Sequence, residues 1–204
     1  MRWLSLALVL ALVQIAAKLP PPYPRPGVVR ILDNDRVQVW NIAWPKGEPT
    51  ALHRHIYDLV GPYYEPGDRV ITSPEGEKRS VSTKAFDIAF QRTGLTHIEE
   101  GVSDAPLRAV FVEMKVAGPY GTSSDNGGPQ AFAGQAAIQK LDNDRVTVWE
   151  YAPPPAAAEH RHVRDTVVIT IDGRNPRAAW VPKGSAHARD GEVGGSRVYV
   201  IELK

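Results

Sequence analysis

Cysteine is absent from the 204 residues, which excludes disulfides, thiolate metal sites and cysteine nucleophiles. Any metal must therefore sit on nitrogen and oxygen ligands. Net charge is nearly absent too: 24 Lys and Arg face 23 Asp and Glu, a formal +1. With no run of one sign, the chain lacks the clustered basic surface that a nucleic-acid partner requires. There is no Gly-rich phosphate loop, nucleophile-elbow serine or dinucleotide fingerprint, so kinase, acyl-transfer and nicotinamide chemistry have no support. No helical period persists, and short strands and turns dominate, which points to an all-β sandwich or barrel.

The one long apolar run is N-terminal. Residues 4–13 follow Met1-Arg2-Trp3, and residues 1–17 read as a secretory signal peptide. The run is short for a bilayer span of about 20 residues, so an uncleaved membrane anchor is the second reading. Lys18-Leu19-Pro20-Pro21-Pro22 then opens a proline-rich stretch, residues 18–27, expected as an extended linker. The expected location is periplasmic or secreted, with membrane contact only through this N-terminal segment.

Histidine is where the information lies. All six histidines sort into two sets of three. His53-Arg54-His55-Ile56-Tyr57-Asp58 returns as His160-Arg161-His162-Val163-Arg164-Asp165. Alternate residues of a strand share a face, so each pair projects together with roughly 6–7 Å between positions, close enough for one metal ion. Downstream of each pair, one more histidine follows a glycine turn: Gly94-Leu95-Thr96-His97 and Pro182-Lys183-Gly184-Ser185-Ala186-His187.

The rest of the chain repeats as well. Leu32-Asp33-Asn34-Asp35-Arg36-Val37-Gln38-Val39-Trp40 returns as Leu141-Asp142-Asn143-Asp144-Arg145-Val146-Thr147-Val148-Trp149. Asp-Asn-Asp supplies a turn, and Val-x-Val-x-Trp alternates as a half-buried strand does. The closing strands, residues 108–115 and 197–204, also match, so an internal duplication is the economical reading. The first copy is longer in the middle: His55 to His97 spans 42 positions, with turns around residues 68–72 and 80–83 that fit an extra hairpin or lengthened strands. The copies are expected over residues 28–117 and 135–204, joined by a Gly/Ser/Pro-rich linker, 118–134.

The His-x-His pair followed by Pro182-x-Gly184-x-x-His187, and by Gly94-x-x-His97 without the proline, resembles the cupin family. The resemblance covers roughly residues 28–204. It implies two tandem cupin (double-stranded β-helix, or jelly-roll) barrels, a bicupin, with a divalent first-row metal (Fe, Mn, Ni or Zn) in each. The metal residues it implies are His53, His55 and His97 in the first barrel and His160, His162 and His187 in the second. The common cupin site adds a Glu four residues after the second His; here those positions are Leu59 and Thr166. Three readings of each trio stay open. One is a three-histidine metal centre, and another is a site completed by a carboxylate from Asp58, Asp165, Glu48, Glu159 or Glu99. The third is a degenerate barrel whose histidines only hydrogen-bond.

Weaker expectations attach to other residues. Arg54 and Arg161 should pair outside the barrel with Asp58 and Asp165, and Trp40, Trp149, Phe111 and Tyr199 should be core. Tyr57, Tyr63 and Tyr64 line the first cavity mouth or simply pack. Arg92 and Glu99–Glu100, with Arg189–Asp190, orient a polar ligand or are solvated loop charges.

The expected function is an exported bicupin that binds metal through three-histidine sites, of non-haem dioxygenase type on a small organic substrate. The alternatives are a non-catalytic small-molecule-binding cupin with one or both sites degenerate, or an oxalate-decarboxylase-like manganese lyase. Packing of the copies on each other gives a monomeric pseudo-dimer; a homo-oligomer is the other reading.

Overall fold

The computed structural model describes residues 18–122, 137–152, 157–191 and 197–204. The expected signal peptide or anchor, 1–17, and most of the expected linker, 118–134, lie outside the described residues.

Each repeat opens on the same turn. The Asn34 side chain accepts from the backbone N–H groups of Arg36 and Val37 at 2.8 and 2.9 Å. Asn143 accepts from Arg145 and Val146 at the same distances. An Asx turn of this kind reverses the chain without needing glycine. It joins β1 (Val28–Asp33) to β2 (Val37–Trp44) and β10 (Ile138–Asp142) to β11 (Val146–Tyr151).

The first copy completes a five-stranded sheet with β4 (Asp58–Glu65), β7 (Ile88–Gln91) and β9 (Leu107–Met114), in the order β1-β2-β9-β4-β7. Facing it is a four-stranded sheet of β3 (His53–Arg54), β8 (Thr96–Gly101), β5 (Gly67–Thr72) and β6 (Lys78–Thr83). The second copy repeats the larger sheet with β13 (Thr166–Ile171), β14 (Arg177–Val181) and β16 (Arg197–Leu203), in the order β10-β11-β16-β13-β14. Its smaller sheet is only β12 (His160–Arg161) with β15 (Ala186–His187). The extra length of the first copy is therefore the hairpin β5–β6. Every paired strand is antiparallel, and among the described residues there is no helix.

The two sheets of the first copy meet at Gly101. A Cβ there would stand 2.3 Å from the Trp44 carbonyl oxygen, so only glycine lets β8 come this close to β2.

The alternation read in β2 is real, but both of its faces are buried. Trp40, Ile42 and Trp44 point into the first barrel beside Leu59, Tyr63 and Phe111. Val37 and Val39 point outward, where they join Val60, Val110 and Val112 against Val146, Val148, Val167, Ile169 and Ile201 of the second copy. The two larger sheets thus share one apolar layer. Each fully buried Val or Ile in that layer contributes about 1.5–3 kcal/mol.

Residues 18–27 have no regular strand or helix, yet they are held against the barrel. Tyr23 is buried with its ring 5.3 Å from Trp40, and the Arg54 N–H donates to the Pro20 carbonyl at 3.0 Å.

Candidate metal centres

Both histidine sets are built by one local device. In the first barrel β3 pairs with β8 so that His53 stands opposite His97. In the second, β12 pairs with β15 and His160 stands opposite His187. The middle histidine of each set is fixed through its own backbone: the Gly94 N–H donates to the His55 carbonyl at 2.7 Å, and the Gly184 N–H to the His162 carbonyl at 2.8 Å. Those glycines have φ of 95° and 76°, a left-handed conformation that a side chain would strain. The Gly-x-x-His spacing is thus a turn that clamps the second histidine while it delivers the third.

The first trio packs as a triangle, with ring centroids 4.8, 5.1 and 5.2 Å apart. His53 is 3% exposed, His55 3% and His97 4%. His53 Nδ1 lies 2.9 Å from the Ala51 carbonyl. A carbonyl only accepts, so Nδ1 carries the proton and Nε2 presents a lone pair. That Nε2 is buried without a hydrogen-bond partner among the described residues. His55 Nε2 and His97 Nε2 face each other at 3.2 Å. Burial pushes the His55 imidazole down to about 3, with His97 adding to the effect. Burial also lowers His97, against the pull of Glu99. Three imidazoles with converging nitrogens are the donor set a first-row divalent metal takes.

The second trio has a fourth member, Asp190. Its side chain is fully buried, with Oδ1 2.8 Å from His162 Nε2 and 2.9 Å from His187 Nε2, and Oδ2 3.2 Å from His160 Nε2. His160 repeats the tautomer lock of His53, with Nδ1 2.8 Å from the Ala158 carbonyl. Burial alone would lower His162, but the carboxylates of Asp190 and Glu202 overcome it and raise the imidazole to about 9. Burial would likewise raise Asp190; the hydrogen bonds from His162 and His187 win and hold its carboxyl well below the usual range.

In each set the potential ligand atoms all lie within 4.8 Å of one another. A cavity of about 150 Å³ opens on the first set, with His55, His97, Leu59, Tyr63 and Arg69 on its wall.

No protein-family model and no curated protein matches this sequence. Solved structures do. The chain is similar to AerE from Microcystis aeruginosa over 92% of its own length and 99% of that chain, at 12% identity and a TM-score of 0.61. A cupin 2 conserved barrel domain protein from Leptotrichia buccalis matches 87% of this chain and 88% of its own, at 14% identity and a TM-score of 0.50. A cupin domain from Bordetella pertussis matches 46% of this chain and 99% of its own, at 28% identity and a TM-score of 0.41.

The fold is the cupin fold.

Within the cupin frame, the positions of the usual Glu are filled by non-ligands. Leu59 is 2% exposed and lines the first cavity, and the Thr166 hydroxyl donates to the Arg164 carbonyl at 2.9 Å. None of the carboxylates offered as substitutes reaches a trio as a fourth ligand. Glu48 and Glu159 are exposed. Asp58 accepts from Arg145 Nε at 2.9 Å and Asp165 from Arg36 at 3.3 Å, both across the two copies. This corrects the expected pairing with Arg54 and Arg161: Arg161 donates to the Gly184 carbonyl at 2.6 Å instead.

Glu99 is buried beside His97, but Arg69 and the Trp44 indole hold it at 2.7 and 3.0 Å. The carboxylate that does join a trio is Asp190, which the sequence offers as a ligand-orienting residue or a solvated loop charge and not as a metal ligand. Its signal was its place three residues after His187 on the same turn.

Trp40, Phe111 and Tyr199 are buried and Trp149 partly so. Each tryptophan serves its barrel in the same way, donating to the glutamate of the closing strand: Trp40 to Glu113 at 2.8 Å and Trp149 to Glu202 at 3.1 Å. Tyr63 lines the first cavity, whereas Tyr64 joins the layer between the copies.

Proposed function

We propose that the chain is a two-site metal-binding cupin whose first barrel is its small-molecule compartment. His53, His55 and His97 would hold one divalent metal, and His160, His162 and His187 with Asp190 a second. When bound, a first-row metal supplies Lewis acidity and, if it is iron, one-electron chemistry with dioxygen. The protein's own contribution is to bury the three imidazoles, to hold His55 and His97 toward the neutral form by that burial, to fix the His53 ring through Ala51, and to hold a partly apolar cavity against them. The observation that carries the reading is that cavity, with two of the three histidines on its wall. A three-nitrogen set leaves positions open for a substrate, and this supports a reactive, dioxygenase-type first site over a purely structural one. Export to the periplasm or beyond is part of the proposal on the sequence of residues 1–17 alone.

Oxygen uptake by the iron-loaded protein, assayed with a panel of small organic substrates, tests the reading. Uptake abolished by His55→Ala and retained in His162→Ala supports it. Turnover that survives His55→Ala, or that occurs only with manganese and without oxygen, contradicts it.

A further inference from the structure

The first cavity carries more hydrogen-bond donors than the protein satisfies. Arg69 is 9% exposed; its Nη1 donates to Glu99 at 2.7 Å and its Nη2 to the Tyr63 hydroxyl at 2.5 Å, yet its Nε is buried with no hydrogen-bond partner among the described residues. Gln91 lines the same cavity, and its Nε2 is also buried with no hydrogen-bond partner among the described residues. Buried donors are costly to leave open and are normally matched, so two in one cavity call for an acceptor from outside the chain.

Charge points the same way. Among the described residues Glu99 is the single carboxylate on the wall, and Arg69 neutralises it. Arg79 also borders the cavity, is exposed, and makes no ion pair or side-chain hydrogen bond among the described residues. It stands between this cavity and an adjoining one of about 290 Å³, where Lys78 and Glu77 formally offset each other. One uncompensated cation therefore sits at the compartment's edge. A guanidinium presents a planar fork of donors that matches a carboxylate. Leu59, Ala89 and Phe111 give the wall its apolar part. A volume near 150 Å³ is about what a benzene-sized guest occupies in a protein cavity. The second trio differs in kind, since Asp190 places a negative charge among its histidines.

We infer that the first barrel binds a small organic carboxylate of about six heavy atoms, its apolar body on Leu59 and Phe111 and its carboxylate among Arg79, Arg69 and Gln91. The inference rests on the first trio being the small-molecule compartment.

The test is calorimetric titration of the zinc-loaded full chain with butyrate and with its uncharged counterpart butyramide, alongside metal content of the same samples. Butyrate should bind at least about tenfold more tightly than butyramide, and Arg79→Ala and Gln91→Leu should each weaken butyrate by about tenfold or more. Arg79 is exposed and Gln91→Leu keeps the side-chain size, so neither change threatens the fold. Equal affinities for the two probes, or butyrate binding unmoved by both substitutions, would overturn the carboxylate while leaving the metal compartment standing. Metal content unchanged by His55→Ala would instead remove the compartment itself, and the inference with it.

Discussion

Arg145 donates from Nε to Asp58 at 2.9 Å, joining the opening turn of the second copy to the histidine motif of the first. The reverse link exists as well, Arg36 to Asp165 at 3.3 Å. Both arginines follow the repeated Asp-Asn-Asp turn, and both aspartates close a His-Arg-His-x-x-Asp segment. The repeated aspartate is thus explained by the packing of one copy on the other, and the histidines by the barrel interior.

The two links should differ in strength. Side chains of Arg145 and Asp58 are 8% and 11% exposed, and Arg145 also donates to the carbonyls of Gly118 and Val116. Arg145→Ala leaves Asp58 and two carbonyls short of a donor and should cost about 3–5 kcal/mol. Arg36 is 38% exposed, so Arg36→Ala should cost about 1 kcal/mol or less. Urea unfolding of both variants checks the difference, and equal losses would contradict it.

The layer between the copies should behave as a core. Ile201 is fully buried there, facing the valines of the first copy. Ile201→Ala should lose about 2–5 kcal/mol. If the two copies were merely tethered, the loss would be small and each would unfold in its own transition.

Stability of the metal-free protein should peak near pH 6.5. His55 is pushed down to about 3 from an ordinary 6.5, so below pH 6.5 the unfolded chain binds more protons than the folded one. Its contribution is complete above 6.5 and drains as the pH falls toward 3, by up to about 1.4 kcal/mol per unit. His162 is raised to about 9, so its contribution is complete below 6.5 and is lost as the pH rises through 9. Denaturation of chelated protein across this range should show both limbs. His55→Leu should flatten only the acid one.

Asp190 should matter to one site alone. Asp190→Asn keeps the shape but removes the buried negative charge among His160, His162 and His187. Metal affinity at the second site should fall by about 10–100-fold or more, with the first site unchanged. Titration with a chelator-buffered metal reads the two sites apart.

The all-β class, the duplication and the grouping of six histidines were legible because each rests on local spacing. Alternation puts His53 with His55, and a glycine turn must precede His97 and His187. What was not legible depends on contacts distant in sequence. Nothing local to Asp58 says that its partner is Arg145, 87 positions away. The sequence leaves Asp190 between a ligand-orienting residue and a solvated loop charge because a turn, unlike a strand, has no fixed side-chain period to predict its direction. Tyr23 falls in the expected linker because proline signals extension but does not say what the extended segment packs on.

Metal content of the purified protein, measured by elemental analysis in wild type, His55→Ala and His162→Ala, tests the central claim most directly. Two equivalents in wild type, with about one lost in each variant, is the predicted result. A wild type that carries no metal and takes up none on incubation with Fe, Mn, Ni or Zn would contradict it.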